Sequence, residues 1–383
     1  MSLLAVCRQF APRVALMLGV AFATHTAPAL AKPVDGGRVP AKAVWMMHLD
    51  MDAARESTVM KRLETRIMKK YPQAETMLAM GVGMIGMDVR KDLHDVTVYG
   101  LDTDKKNAVM IVHADVDRKK LEAMAAKAPG HKTMEHRSYT LHSWMHNNVL
   151  MRPKGWKQSQ GRPVVGAFFQ DNVMVFARTK EQVEMALDVL DSKQASLDEN
   201  SPLAGRVRPG SILVGRAAEI DPKTKCPVLR EGKGYRVAMG ESEGMSFYRS
   251  RLEMTSAEAA EQAKSVTEGL VALGSLRFGN EADVMKLVKA VETMTRGDTS
   301  MTSWDAKADD VWAVVERAAD RIEAKMAERK KQWGAMQKGK GGCDGCKGCE
   351  KGECEKGECE KGECEKGECE KQDERRPFRE DEF

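Results

Sequence analysis

Val96-Thr-Val-Tyr-Gly100 and Ala108-Val-Met-Ile-Val-His113 are two β-rich runs separated by a short polar break, and their pairing decides the class of fold. A helical pattern from Arg118 to Ala128, closed by Pro129-Gly130, follows them. Upstream, the strand-like Ala43-Val-Trp-Met-Met-His-Leu-Asp50 leads into a helix-like segment from about Ala53 to Lys70 that stops near Pro72. Downstream, Tyr139 to Met145 reads as a strand. Val164 to Phe169 and Asn172 to Ala177 read as a hairpin turning at Gln170-Asp171. Thr179 is placed to N-cap a helix from Lys180 to Leu190, because its hydroxyl can accept from a free N–H of the first turn.

After a stretch punctuated by Pro and Gly, Ser201 to Gly210, the order returns. Ser211 to Val214 reads as a strand, Tyr235 to Met239 and Met245 to Met254 as a hairpin, and Ala257 to Leu273 as a long helix. Val288 to Thr295 and Thr299 to Trp304 then pair across Arg296-Gly-Asp298, and a terminal helix carries Val311, Val315, Ala318 and Ile322 on one stripe. The expected fold is α+β. It has two similar strand-and-helix halves with antiparallel sheets, residues 39–195 and 205–330, and a disordered, cysteine-rich repeat tail over 337–383. Two unrelated subdomains are the alternative, because sequence identity between the halves is too weak to prove duplication.

The N-terminus indicates a compartment. Arg8 and Arg13 precede an apolar run from Val14 to Ala23 and a small-residue site at Ala29-Leu30-Ala31, the layout of a cleaved signal peptide over residues 1–31. The run is too short to span a bilayer, so the expected product is an exported chain, periplasmic or extracellular, with no membrane span. Formal net charge is +4, and the tail from Lys338 holds 11 basic and 15 acidic side chains. The basic excess of the body is spread along the chain, without the block of like charge that nucleic-acid binding favours.

Several catalytic patterns occur in the wrong setting. Gly81-Val-Gly-Met-Ile-Gly86 matches a dinucleotide fingerprint but leads towards a strand, so it reads as a loop or packed helix end. Gly240-Glu-Ser-Glu-Gly244 matches a nucleophile elbow around Ser242, but strands flank both sides and no histidine occurs after His146. It reads as a hairpin turn, as does Arg296-Gly297-Asp298. Met77, Met80, Met84 and Met87 recur at helical steps, a spacing that suits core packing better than a thioether site for Cu(I).

His131, His136, His142 and His146 crowd one region, and Asp92-Leu-His-Asp95 flanks His94 with two carboxylates. The enzyme alternative is therefore a hydrolytic or metal-dependent site using the His94, His136 and His142 region. On a strand, however, His142 and His146 would stand about 13 Å apart, too far for one strand to chelate an ion. Turn and cap chemistry accounts for Asp92 and Asp95.

The tail is a thiol array. Cys343, Cys346 and Cys349 are spaced by two residues, and Cys354, Cys359, Cys364 and Cys369 follow at a fixed step of five in Lys-Gly-Glu-Cys-Glu repeats. Such a step builds no packed face, so these cysteines are present for their chemistry. Thiolates at this spacing suit Cu(I) or zinc, glycine lets the backbone fold around an ion, and no organic cofactor is implied. The competing chemistry is disulfide cross-linking to itself or to an envelope protein, which an oxidising compartment permits.

Two resemblances accompany these readings. Val44-Trp-Met-Met-His-Leu-Asp50, Asp92-Leu-His-Asp-Val-Thr-Val-Tyr-Gly100, Tyr139-Thr-Leu-His-Ser-Trp144 and Ala186-Leu-Asp-Val-Leu-Asp191 together resemble an uncharacterised family of secreted bacterial proteins, a likeness that implies no activity. The tail is similar in layout to the bufferins, exported copper-binding peptides with modified cysteines. It departs from them in having glutamate after each repeat cysteine and a large domain before the array. The expected function is thus an exported, non-enzymatic protein whose tail binds soft metal ions and whose body is a binding or scaffold module.

Overall fold

The computed structural model describes residues 36–146, 161–221 and 223–339. The cysteine array, the signal segment and the tail from residue 340 onward lie outside the described residues, whereas residues 337–339, expected in the disordered tail, are helical.

The first half begins with strand β1, Trp45–Asp50. Three helices follow: α1, Met51–Glu56; α2, Thr58–Lys70; and α3, Pro72–Ile85. Strands β2, Leu93–Gly100, and β3, Val109–Ala114, form the pair read from the sequence, with Thr97 opposite Ile111. Helix α4, Arg118–Ala126, precedes a hairpin of β4, Lys132–His136, and β5, Tyr139–His146. A second hairpin, β6, Arg162–Gln170, with β7, Val173–Ala177, leads into α5, Lys180–Leu190. Thr179 caps α5 as expected: Gln182 N–H donates to its hydroxyl, and the Gln182 side chain accepts from the Thr179 N–H in return.

The second half runs β8, Ser211–Ala217; α6, Pro227–Arg230; β9, Gly232–Ser242; and β10, Met245–Met254. Helices α7, Ala257–Phe278, and α8, Ala282–Lys289, then lead to the hairpin β11, Val291–Arg296, with β12, Thr299–Lys307. The long helix α9, Ala308–Gly339, follows, and from Arg317 onward it belongs to a second compact unit. The halves share an order: strand, helix, hairpin, helix, hairpin, helix. The β4–β5 hairpin is an addition to the first half.

All pairings are antiparallel, and they join both halves into one 12-stranded sheet, ordered β11-β12-β10-β9-β8-β1-β2-β3-β7-β6-β5-β4. The joint is β1 against β8, the first strand of each half, with Met46 opposite Arg216 and His48 opposite Val214. Each half thus covers the other's inner edge, which would otherwise present a row of unpaired N–H and C=O groups.

Direct cross-strand partners share a sheet face, so the register locates the core. Val109, Tyr99 and Met46 form one row on the face that α5 covers with Val183, Ala186 and Leu187, all of them buried. The smaller cluster around Met51 and Ala54 also includes Leu49, Leu93 and Ile212.

Several local expectations are corrected. The helix expected to run unbroken from Ala53 to Lys70 is interrupted at Ser57, which is extended at φ −64° and ψ 130° and whose hydroxyl accepts from Met60 N–H. A tertiary partner stabilises this break. The Glu241 carboxylate, from the end of β9, accepts from the Ser57 hydroxyl at 2.8 Å and from the N–H groups of Thr58 and Val59 at 2.7 and 3.2 Å. It places a negative charge at the positive end of α2. The segment expected to begin a strand at Val288 remains helical through Lys289, and β11 starts at Val291. The methionine stripe is not core: Met77, Met80 and Met84 are 70%, 61% and 58% exposed, and α3 buries Leu78 instead.

Candidate functional site

The glycine and turn motifs take the structural forms expected of them. Gly86 ends α3 at φ +71°, where its N–H donates to Val82 O, so Gly81 to Gly86 is a helix end. Ser242 closes β9 and the chain turns through Glu243 and Gly244, at φ 53° and 72°, into β10. Gly297, at φ +59°, turns β11 into β12.

Titratable side chains cluster at one end of β1, β2 and β3. On β2, Leu93 lies opposite Ala114 and Asp95 opposite His113, so His94 is an extra residue in a β-bulge. A bulge re-aims a side chain. Here it brings the His94 ring to 4.9 Å from the His113 ring, centroid to centroid. His94 Nδ1 lies 3.2 Å from both carboxylate oxygens of Asp52, and Nε2 lies 3.3 Å from Asp115 Oδ2. His113 Nδ1 lies 3.0 Å from Asp95 Oδ2, and its Nε2 is 3.1 Å from Asn172 Nδ2. An amide nitrogen only donates, so in this arrangement Asn172 donates to Nε2 while Nδ1 faces the Asp95 carboxylate. Asp95 also meets Arg38 at 3.5 Å.

Two deeper groups adjoin this cluster. Asp50, opposite Asp95 on β1, caps α1 by accepting from Ala53 N–H at 2.8 Å, and burial pushes its carboxyl above the usual aspartate range. His48 is 6% exposed; its Nδ1 meets Thr97 Oγ1 at 2.9 Å while its Nε2 is buried without a partner. Burial holds its pKa below the ordinary 6.5, outweighing the attraction of Asp95.

A pH dependence follows from His48 and His142, both shifted downwards chiefly by burial. Their unfolded forms take up protons near pH 6.5 while the folded forms do not, so the stability they contribute is complete above that pH. It is lost as pH falls from 6.5 towards the lowered values. For His48 alone the slope approaches about 1.4 kcal/mol per pH unit. Thermal unfolding followed by circular dichroism should give a Tm lower at pH 5.5 than at pH 7.5 by about 2–4 °C, and His48→Gln should reduce that difference. A Tm unchanged over this interval would contradict the assignment.

The structure separates the three histidines grouped in the enzyme alternative. His136 bonds to Glu184 and Asp188 on α5, at 3.2 and 3.0 Å, and Arg137 shares Asp188 at 2.8 Å. His142 faces His131, with Nδ1 and Nε2 at 3.1 Å and the rings stacked at 5.4 Å between centroids. Four strand spacings separate β2 from β5, about 19 Å, so His94 and His142 cannot act on one small group. Asp92 turns away from His94 and accepts from the Asp88 N–H. Sequence reasoning missed His48, His113, Asp52 and Asp115 as members of the His94 cluster. Only the bulge brings His94 and His113 together, and no residue signals it.

Cys343, Cys346, Cys349, Cys354, Cys359, Cys364 and Cys369 lie outside the described residues. Among the described residues, no group of three or more His, Cys, Asp or Glu has the arrangement to hold a metal ion, and Cys226 is free and half-buried at the start of α6. Among them, too, no helix is long and apolar enough to cross a membrane.

No family model matches the chain, and no curated protein matches it. Among solved structures, crystal form III of TP0453 aligns with a TM-score of 0.42 at 7% identity, covering 74% of this chain and 97% of that one. Crystal form I of TP0453 aligns at 0.39 and 8%, covering 75% and 98%.

Proposed function

We propose that this is an exported, non-enzymatic metal-binding protein. Cys343, Cys346, Cys349, Cys354, Cys359, Cys364 and Cys369 bind soft ions, Cu(I) or Zn(II), and the α+β body serves as a scaffold or binding module in the periplasm or outside the cell. The observation that carries the reading is the array itself: seven thiols in a glycine- and charge-rich sequence that can bury no core. Seven thiolates suffice for one complete four-thiolate zinc site with three ligands left, or for a Cu(I) cluster with bridging sulfurs. The body supports the scaffold role through the commitment of its histidines: His94, His113 and His136 each engage protein partners at both ring nitrogens. The likeness of the tail to the bufferins points the same way.

The test is to purify the exported protein without reductant, count free thiols and measure bound metal by mass spectrometry, then repeat with residues 343–370 deleted. The expected result is several Cu(I) or Zn(II) ions per reduced chain, release of protons on binding, weakening at acid pH, and loss of the bound metal on deletion. Unreactive thiols, no metal and reductant-sensitive multimers would establish the cross-linking alternative. Free thiols that take up neither ion on titration would end both readings.

A further inference from the structure

The row of residues that crosses the sheet through Val109, Tyr99 and Met46 changes character at the joint between the halves. Continuing across β8, β9 and β10, Met46 is followed by Arg216, Arg236 and Arg251, each directly opposite the next, and then by Met301 and Met294. Three arginines thus stand side by side on neighbouring strands, spanning about 10 Å at the usual strand spacing. Like charges directly opposite one another destabilise a sheet, so such a row needs a compensating anion.

The protein supplies little of one. Arg216 is buried, at 7% exposure, and its guanidinium donates only to backbone carbonyls: Leu203 at 2.6 Å, Gly205 at 2.9 Å and Arg206 at 3.4 Å. Burial and the neighbouring Arg236 both lower its pKa, burial more. Arg236 reaches Glu253 only at 4.0 Å and the Ala204 carbonyl at 3.5 Å. Arg251 is exposed and has no acidic partner among the described residues. On the same face, Asp305 is shared between Arg208, which lies over the Phe247 ring, and Arg249, which partners it closely. Among the described residues, Glu253 and Asp305 are thus the only carboxylates paired with these five arginines.

We propose that this face of the second half binds an anion bearing two or more phosphate groups, held by Arg236 and Arg251 and supported by the positive charge of Arg216. Guanidinium is the group suited to it: planar, permanently charged and able to donate two parallel N–H bonds to one phosphate. Two guanidinia on adjacent strands, Arg251 without an acidic partner among the described residues and Arg236 with only a distant one, match a ligand with successive phosphates better than a single small anion. This site is independent of the cysteine tail.

The experiment measures binding of inorganic tripolyphosphate to the full chain by calorimetry, and in a second arm co-sedimentation with vesicles containing cardiolipin, whose headgroup carries two phosphates, against phosphatidylcholine vesicles. Arg236→Gln with Arg251→Gln should weaken binding about 30-fold or more, since each lost charge-assisted contact is worth about tenfold. Arg216 is left intact because its carbonyl bonds are structural. Lys119→Gln with Lys193→Gln removes the same charge elsewhere and should change binding less than threefold, and circular dichroism checks that both variants are folded. Binding in the first arm alone identifies a soluble polyphosphate, and binding in the vesicle arm a lipid headgroup. No binding in either arm, or an equal loss in the two double variants, would overturn the proposal.

Discussion

Gly240→Ala is expected to destabilise the protein by more than about 3 kcal/mol, or to prevent folding altogether. A Cβ at this position would lie 2.0 Å from the Gly210 carbonyl oxygen and 2.8 Å from both Gly210 C and Ile212 N, all of them backbone atoms that cannot swing aside. The contact is reciprocal: a Cβ on Gly210 would meet the Glu241 oxygen at 2.0 Å, and Gly210 also sits at φ +77°. The two backbone segments approach so closely because Glu241 N–H donates to Gly210 O at 3.0 Å, where β8 begins and β9 ends. Opening this contact would also shift Glu241, whose carboxylate caps α2. Gly81→Ala is the matched control: nothing lies within 4 Å of a Cβ there, the backbone is helical, and the same substitution should stabilise by about 0.5–1 kcal/mol. Urea unfolding of both variants measures the two signs, and a Gly240→Ala protein within 0.5 kcal/mol of the parent would refute the close-approach argument.

The second large effect is expected at Leu187. It is fully buried on α5, within the cluster that includes Tyr99, Ile111, Leu141 and Val175. Leu187→Ala removes the transfer energy of the lost methyl groups and leaves a cavity in a face that cannot close around it, so unfolding free energy should fall by about 2–5 kcal/mol. A change below 1 kcal/mol would mean that α5 does not hold the first half together. The contrast with the second half gives this prediction its interest. Where α5 covers the row of Val109, Tyr99 and Met46, the continuation of that row is Arg216, Arg236 and Arg251, and the carbonyls of residues 203–206 meet its arginines instead. One half buries its sheet face with leucine and valine; the other presents charge.

Much of the α+β architecture was legible in the sequence because its signals are local. Alternation in Val96 to Gly100 and Ala108 to His113, the cap at Thr179, and turns at Gly244 and Gly297 each depend on a few neighbouring residues, and each appears in the structure. The cysteine array is legible for the same reason, since its repeat lies within one continuous segment. What could not be read are features made by residues distant in the chain. The break at Ser57 rests on a carboxylate 184 positions away, and the exposed Met77, Met80 and Met84 show that helical spacing gives a stripe without saying which stripe is buried. The bulge that brings His94 to His113, and the register that aligns Arg216, Arg236 and Arg251, are likewise tertiary. By itself the sequence determined most of the strands, helices and turns and all of the thiols, whose physics is that of neighbouring residues. Only the tertiary structure decided which charges stand together, because cross-strand register converts distant positions into adjacent ones and is set by the packing of the whole sheet.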